Sequence, residues 1–338
     1  MSKPLIIAGP CAAESEQQVM TTAASLKQFN VDFFRAGLWK PRTSPHSFQG
    51  VGAKGIKWLV NVREKYGLKV ATEVATPQHV ALCRDAGLDA LWIGARTVSD
   101  PFAVQALSEY LMGYEGTVMV KNPISDDVDL WEGAIQRLQL MGISNIVAIH
   151  RGVKTSVYHP TGMRNKPEWS MPIELRRRMP QIPIICDPSH ITGNAQIVPQ
   201  VAQQAVSLGL EGLMVEVHCE PAKALSDRMQ QLTPQQFGTM IAGLNFRQQS
   251  KAEQNLLQLR EQIDEIDNQI WQLIEHRMDI SARIGEIKHQ QGLPVFQPER
   301  YQNILQQRLQ WAQQHQLPEQ LVNDIMQALH NASVQKQL

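Results

Sequence analysis

Residues able to ligate metals, bind anions or move protons recur at the C-terminal ends of short apolar runs throughout the chain up to Ala252. In chain order they are Cys11, then Lys40 and Arg42, Glu73, Arg96, Lys121 with Asn122, His150 with Arg151, Asp187 with His190, and Glu216 with His218. Two kinds of chemistry separate within this series. Arg42, Arg96, Lys121 and Arg151 are cations suited to carboxylate and phosphate groups, so an anionic substrate is expected. Cys11, His190, Glu216 and Asp227 offer one thiolate, one imidazole and two carboxylates. That mixed set suits a borderline divalent transition metal of the Mn, Fe, Co or Zn class better than magnesium. Their wide separation excludes a compact zinc-finger site, so only a fold that gathers distant loops could make them one centre.

The elements that could do this are legible as eight β-rich runs: LIIAGP (5–10), FFRAG (33–37), KVATEV (69–74), LWIGAR (91–96), VMVKN (118–122), IVAIHRG (146–152), IPIICDPSH (182–190) and GLMVEVH (212–218). The segments between them leave room for a helix each, which predicts an α/β fold, a (β/α)8 TIM barrel. A doubly wound sheet is the weaker rival, because no GxGxxG follows the first run. In a barrel the active face lies at the C-terminal ends of the strands, where the polar residues above fall.

Composition bounds the rest. The 338 residues carry 32 basic and 32 acidic side chains, so no global field favours nucleic acid or an anionic membrane, and any anion site must be local. No long apolar run and no cationic leader followed by one is present, and a soluble cytoplasmic protein is expected. The four cysteines form no CxxC pair, and Cys219 reads as a core position. After Ala252 only two of 21 glycines and three of 19 prolines remain while glutamine becomes abundant, which predicts a barrel over 1–245, a linker over 246–252 and a second domain over 253–338.

The motifs GPCAAES, GLWKPRTSP, ATEV, IGAR, VKNP, HRG, DPSH and VEVHCEPAKALSD, in this order, resemble the type I beta class of 3-deoxy-D-arabino-heptulosonate 7-phosphate (DAHP) synthases. The resemblance implies condensation of phosphoenolpyruvate with erythrose 4-phosphate at a metal held by Cys11, His190, Glu216 and Asp227. It implies a phosphoenolpyruvate clamp of Arg96, Lys121 and Arg151, with Lys40 for proton transfer or charge stabilisation. Glu73 would order the attacking water or orient Lys40 or Lys121. Arg42, Thr43 and Ser44 of the KPRTS loop would hold erythrose 4-phosphate. The sister 3-deoxy-octulosonate 8-phosphate synthases, which take arabinose 5-phosphate, generally have a loop like KANRSS there.

Beyond residue 252 the period changes. Apolar residues at Leu256, Leu259, Ile263, Ile266, Ile270, Leu273, Ile274, Ile280, Ile284 and Ile287 follow helical spacing, predicting one long helix from Glu253 to near Lys288. Such a helix would span roughly 54 Å, too long to bury its stripe within one small domain, so a partner chain is expected. GLP at 292–294 ends it, and two further helical segments follow, broken near Pro318. The motifs LREQIDEID with Arg260, EHR with Arg277, IGEIK with Lys288, PER with Arg300 and SVQKQ with Ser333 and Gln337 resemble the all-helical chorismate mutase family. The resemblance implies rearrangement of chorismate to prephenate in an intertwined homodimer. Arg260 of one chain and Arg277 of the other would bind the carboxylates. Lys288 and Gln337 would approach the ether oxygen, and Arg300 and Ser333 would complete the pocket.

Two positions depart from the mutase pattern: Gln297 and Tyr301 stand where the family commonly has acidic residues that help to bind the substrate hydroxyl. A weakened but active mutase is therefore expected, with a non-catalytic chorismate- or prephenate-sensing dimerisation module as the alternative. Because the two chemistries act at distant steps of one pathway, their fusion also suggests feedback inhibition of the synthase through the helical domain.

Overall fold

The computed structural model describes residues 3–42, 44, 46–154, 162–245 and 253–338. The chain divides into two compact units, Met1–Arg247 and Gln248–Leu338. The expected linker 246–252 lies outside the described residues.

In the first unit strands and helices alternate. The first half contains β1 (Leu5–Gly9), α1 (Glu16–Leu26), β2 (Phe33–Arg35), α2 (Lys54–Tyr66), β3 (Lys69–Val74), α3 (Pro77–Asp85), β4 (Ala90–Ile93), α4 (Ala95–Val98) and α5 (Pro101–Leu111). The second contains β5 (Thr117–Lys121), α6 (Val128–Leu140), β6 (Ile146–His150), α7 (Ser170–Arg178), β7 (Ile184–Cys186), α8 (Pro188–Thr192), α9 (Val198–Ser207), β8 (Gly212–Glu216) and α10 (Pro234–Gly243). The eight strands form a closed barrel in sequence order. Every pairing is parallel, and β1 meets β8 with Gly9 opposite Glu216. The expected barrel is the observed fold.

Strands buried on both faces explain the near-continuous apolar runs. Ile7, Phe33, Trp92, Met119, Ile149, Ile185 and Met214 fill the barrel interior. Their neighbours Ile6, Ala8, Phe34, Leu91, Ile93 and Val120 pack outward against the helices. Polar side chains fix where helices begin: Ser15, Thr76, Asp100 and Asp127 each accept a backbone N–H in the first turn of α1, α3, α5 and α6. Each helix therefore starts a short distance beyond a strand, and the βα loops stay at one end of the barrel.

Of the eight runs only KVATEV coincides with its strand, and three of the differences bear on the site. β2 ends at Arg35 rather than Gly37, Arg96 lies on α4, and DPSH forms the start of α8 rather than the end of β7. In the last case the Asp187 carboxylate accepts the His190 N–H at 3.0 Å, and this cap diverts the chain into a helix.

The second unit consists of α11 (Glu253–Gln291), α12 (Pro298–Gln314) and α13 (Glu319–Gln337). The expected single long helix is present and runs three residues beyond Lys288 before Gly292 takes a left-handed conformation, φ 65°. α13 packs against both α11 and α12. Within the single chain, Ile263, Ile266, Ile270, Trp271 and Leu273 of α11 remain exposed. No helix among the described residues is long and apolar enough to cross a membrane.

Candidate active sites

Cys11 follows β1, and Glu216 ends β8 beside it in the sheet. Gly9 allows the close approach of β1 to β2: a Cβ there would lie 2.1 Å from the Arg35 carbonyl oxygen. Asp227 arrives from the loop after β8, with Cys11 Sγ 3.2 Å from its Oδ2. Donor atoms of Cys11, Glu216 and Asp227 all lie within 4.8 Å of one another. The fourth expected ligand, His190, stands at the edge of this group, its Nε2 3.7 Å from Glu216 Oε1.

The electrostatics of the cluster are those of a cation site. Burial, reinforced by Glu216, pushes the Cys11 thiol up to about 12, and the nearby Lys40 ammonium only partly offsets this. Burial opposes ionisation of Glu216 as well, but His190, Arg35 and Lys40 outweigh it and hold the carboxyl below its usual range. Asp227 is likewise held well below the ordinary carboxylate value, with His190, Arg164 and Lys40 outweighing burial. Burial pushes His190 down, favouring the neutral imidazole that a metal requires. A thiol, two carboxylates and an imidazole gathered out of water therefore fit a divalent transition metal.

A cavity of about 240 Å³ opens beside this cluster and is lined by Lys40, Arg42, Glu73, Arg96, Lys121 and Arg151, together with His190 and Asp227. The barrel thus brings the expected cations and donors together. Lys40 Nζ lies 3.1 Å from Cys11 Sγ, and Arg42 pairs with Asp227 at 3.5 Å. Lys121 Nζ donates to Asp187 Oδ2 at 2.7 Å, and His190 Nδ1 lies 2.8 Å from the same oxygen without the alignment of a hydrogen bond. Asp187 therefore couples the cation side of the cavity to the donor side. Burial brings Arg151 down to about 10, with Arg164 and Arg96 acting in the same direction, while its NH1 donates to Asn165 Oδ1 at 3.1 Å. Glu73 rises against Gly94, where a Cβ would lie 2.1 Å from its Oε1, so a larger residue there would displace the carboxylate before Arg96. Ser44 is exposed, its Oγ accepting the His46 N–H at 3.4 Å, and Thr43 lies outside the described residues.

Two strand-end histidines do not join the site. His150 is fully buried between Trp131 and Trp169, and its Nε2 bonds the Pro167 carbonyl. His218 Nδ1 accepts the Glu220 N–H at 2.8 Å and its Nε2 lies 3.7 Å from Glu14. Cys219 is partly buried, with Sγ 3.9 Å from His218 Nδ1.

Other contributors escaped sequence reasoning. Arg35 is fully buried, pairs with Glu216 at 3.1 Å and lies over the Trp92 ring. A lone cation inside FFRAG was its signal. Arg164 pairs with Asp227 at 3.0 Å and Gln230 donates to Glu216 at 2.7 Å. Arg164 comes from a loop and Gln230 from a single 3-10 turn, Arg228–Gln230, and no periodicity marks either.

In the helical unit, Arg277 NH1 donates to Ser333 Oγ at 2.5 Å and to the Leu329 carbonyl at 3.2 Å. Lys288 Nζ donates to Gln337 Oε1 at 3.0 Å and to the Val295 carbonyl at 2.7 Å. α11 and α13 thus gather four of the six expected residues, with two cations facing two neutral polar groups. Arg260 and Arg300 are exposed within the single chain. The Tyr301 ring lies 4.2 Å from that of His330, tilted by 36°, and its hydroxyl lies 3.4 Å from Gln327 Oε1.

Both units match known families. Residues 2–251 match the DAHP synthetase I family, and residues 259–338 match chorismate mutase type II. A phospho-2-dehydro-3-deoxyheptonate aldolase from Thermotoga maritima is 33% identical over 236 residues, covering 70% of this chain and 67% of that protein. A 2-dehydro-3-deoxyphosphooctonate aldolase from Albidiferax ferrireducens is 26% identical over 249 residues, covering 67% and 84%. The crystal structure of the Thermotoga maritima DAHP synthase superposes with a TM-score of 0.64 at 31% identity, covering 71% of this chain and 68% of that one. With residues 2–251 and residues 259–338 each matched, the chain belongs to the DAHP synthetase I family and carries a chorismate mutase type II domain at residues 259–338.

Proposed function

We propose that the barrel condenses phosphoenolpyruvate with erythrose 4-phosphate to give DAHP and phosphate, and that the helical unit rearranges chorismate to prephenate. The observation that carries the first reading is one cavity lined by Lys40, Arg96, Lys121 and Arg151 together with His190 and Asp227, the last of which also belongs to the donor cluster with Cys11 and Glu216.

Cys11, His190, Glu216 and Asp227 would hold a divalent transition metal, which when bound supplies Lewis acidity toward the aldehyde oxygen. Arg96, Lys121 and Arg151 bind the phosphate and carboxylate of phosphoenolpyruvate and set its carbon 3 against the aldehyde carbon. Arg42, Thr43 and Ser44 bind the phosphate of erythrose 4-phosphate. A carbon–carbon bond forms, water ordered by Glu73 adds at carbon 2, and phosphate departs by carbon–oxygen cleavage. Lys40, beside the donor cluster, stabilises or protonates the developing alkoxide. The KPRTS loop favours erythrose 4-phosphate over arabinose 5-phosphate. Mass analysis of the sugar phosphate formed from each aldehyde tests this. A sole or preferred eight-carbon product would refute it.

Chorismate rearranges without covalent catalysis, so a compact dicarboxylate and a charge-stabilised ether oxygen suffice. Arg277 beside Ser333, and Lys288 beside Gln337, supply a carboxylate-binding end and an ether-binding end. Arg300 completes the pocket. The exposed apolar face of α11 supports a homodimer in which Arg260 reaches the partner's site. Feedback on the synthase by prephenate bound in the helical unit belongs to the same reading. Chorismate loss measured with full-length protein and Arg277→Ala tests the mutase. Equal rates in both would leave the helical unit a dimerisation and sensing module.

A further inference from the structure

The turn that carries Asp227 is fastened by side chains that line neither the cavity nor the donor cluster. Asp227 itself adopts the left-handed region, φ 47° and ψ 39°, which few residues with a Cβ occupy, though Asp does so more readily than most. The two residues before it are each held by a side chain from outside the turn. The Leu225 N–H donates to Glu14 Oε1 at 2.8 Å, and the Ser226 carbonyl accepts Gln231 Nε2 at 2.8 Å. Gln231 Oε1 in turn accepts the Cys11 N–H at 3.0 Å. Glu14 lies three residues after Cys11, so the segment holding the thiol and the segment holding the carboxylate are tied at two points. The Glu14 side chain is only 9% exposed, and its second oxygen lies 3.7 Å from His218 Nε2. Gln231 is almost fully buried.

We propose that Glu14 and Gln231 are positioning residues that hold Asp227 in its left-handed turn and thereby set the metal affinity of the Cys11, His190, Glu216 and Asp227 centre. The proposal rests on reading those four residues as metal ligands. Outer partners of metal ligands characteristically govern affinity by roughly 10- to 100-fold without donating an atom to the ion.

Cobalt(II) titration of the full-length protein tests this, because the near-ultraviolet thiolate band reports Cys11 and the visible bands report the coordination geometry. Glu14→Ala is expected to bind cobalt roughly 10- to 100-fold more weakly. It should retain the thiolate band, with visible bands shifted toward those of Asp227→Ala. Glu14→Gln keeps an acceptor for the Leu225 N–H and is expected to recover most of the affinity. Should Glu14→Ala fail to fold, Gln231→Met, which removes both bonds at similar volume, carries the same expectation. Wild-type affinity and bands in Glu14→Ala or Gln231→Met, alongside weakened binding in Asp227→Ala, would overturn the positioning role alone. Unchanged cobalt binding in Asp227→Ala would overturn the ligand reading and the positioning role with it.

Discussion

Lys40 Nζ stands 3.1 Å from Cys11 Sγ, placing an ammonium ion against the one thiol of the donor cluster. Even so, burial and Glu216 keep that thiol raised to about 12, so at neutral pH the metal-free protein holds it protonated. Glu216 and Asp227 are already ionised and His190 already neutral under the same conditions. Loading zinc or cobalt near pH 7 should therefore release about one proton per site. Cys11→Ser should release none. Indicator measurements in weakly buffered solution count these protons, and release from the serine variant equal to wild type would remove Cys11 from the ligand set.

Asp187 links Lys121 to His190 through a single carboxylate oxygen. Burial holds Lys121 below its usual range, and Asp187 is the main influence opposing that fall. Asp187→Asn should lower Lys121 further, moving the alkaline limb of kcat/KM for phosphoenolpyruvate to lower pH and raising its KM. Leaving the buried ammonium without its partner should also cost about 3 kcal/mol of stability. An unshifted alkaline limb would mean that Lys121 does not need its charge to bind substrate.

His150 is held down to about 4, chiefly by burial, with the neighbouring Arg151 acting in the same direction. An unfolded chain takes up this proton near pH 6.5 whereas the folded barrel takes it up only near pH 4, so stability falls as pH drops between those values. The contribution is on the order of 3 kcal/mol. His150→Gln, which cannot titrate, should show a shallower loss of denaturation midpoint between pH 6.5 and pH 4. An equal slope would assign acid sensitivity to other groups.

Gly285 lies where α11 touches α13: a Cβ there would come 2.7 Å from Gln337 Cα. Gly285→Ala should force the helices apart, with overpacking costing roughly 1–3 kcal/mol. Gln337 and Lys288 would then lose register, and chorismate turnover should fall at least tenfold while DAHP formation is retained. Wild-type turnover in Gly285→Ala would contradict the close packing at this point.

The barrel was legible because its strands are buried on both faces and each apolar run ends in chemistry. The donor residues could be picked out for the same reason: Cys11, His190 and Glu216 stand at or just beyond strand ends. What stayed hidden depends on tertiary detail. Glu14, Arg164 and Gln231 lie in loops whose partners are distant in sequence, and no period marks them. Position at a strand end also misled for His150 and His218, because residues there can face the helices instead of the cavity. In the second unit, spacing revealed the long helix, while the pairing of Arg277 with Ser333 needed α13 to fold back along it.

The most direct test is DAHP formation from phosphoenolpyruvate and erythrose 4-phosphate by purified full-length protein before chelation, after exhaustive chelation and after manganese or cobalt is restored. The proposed site requires activity that vanishes on chelation, returns with metal, and is absent in Cys11→Ala under all three conditions. Undiminished synthesis in the chelated protein, or in Cys11→Ala, would contradict it.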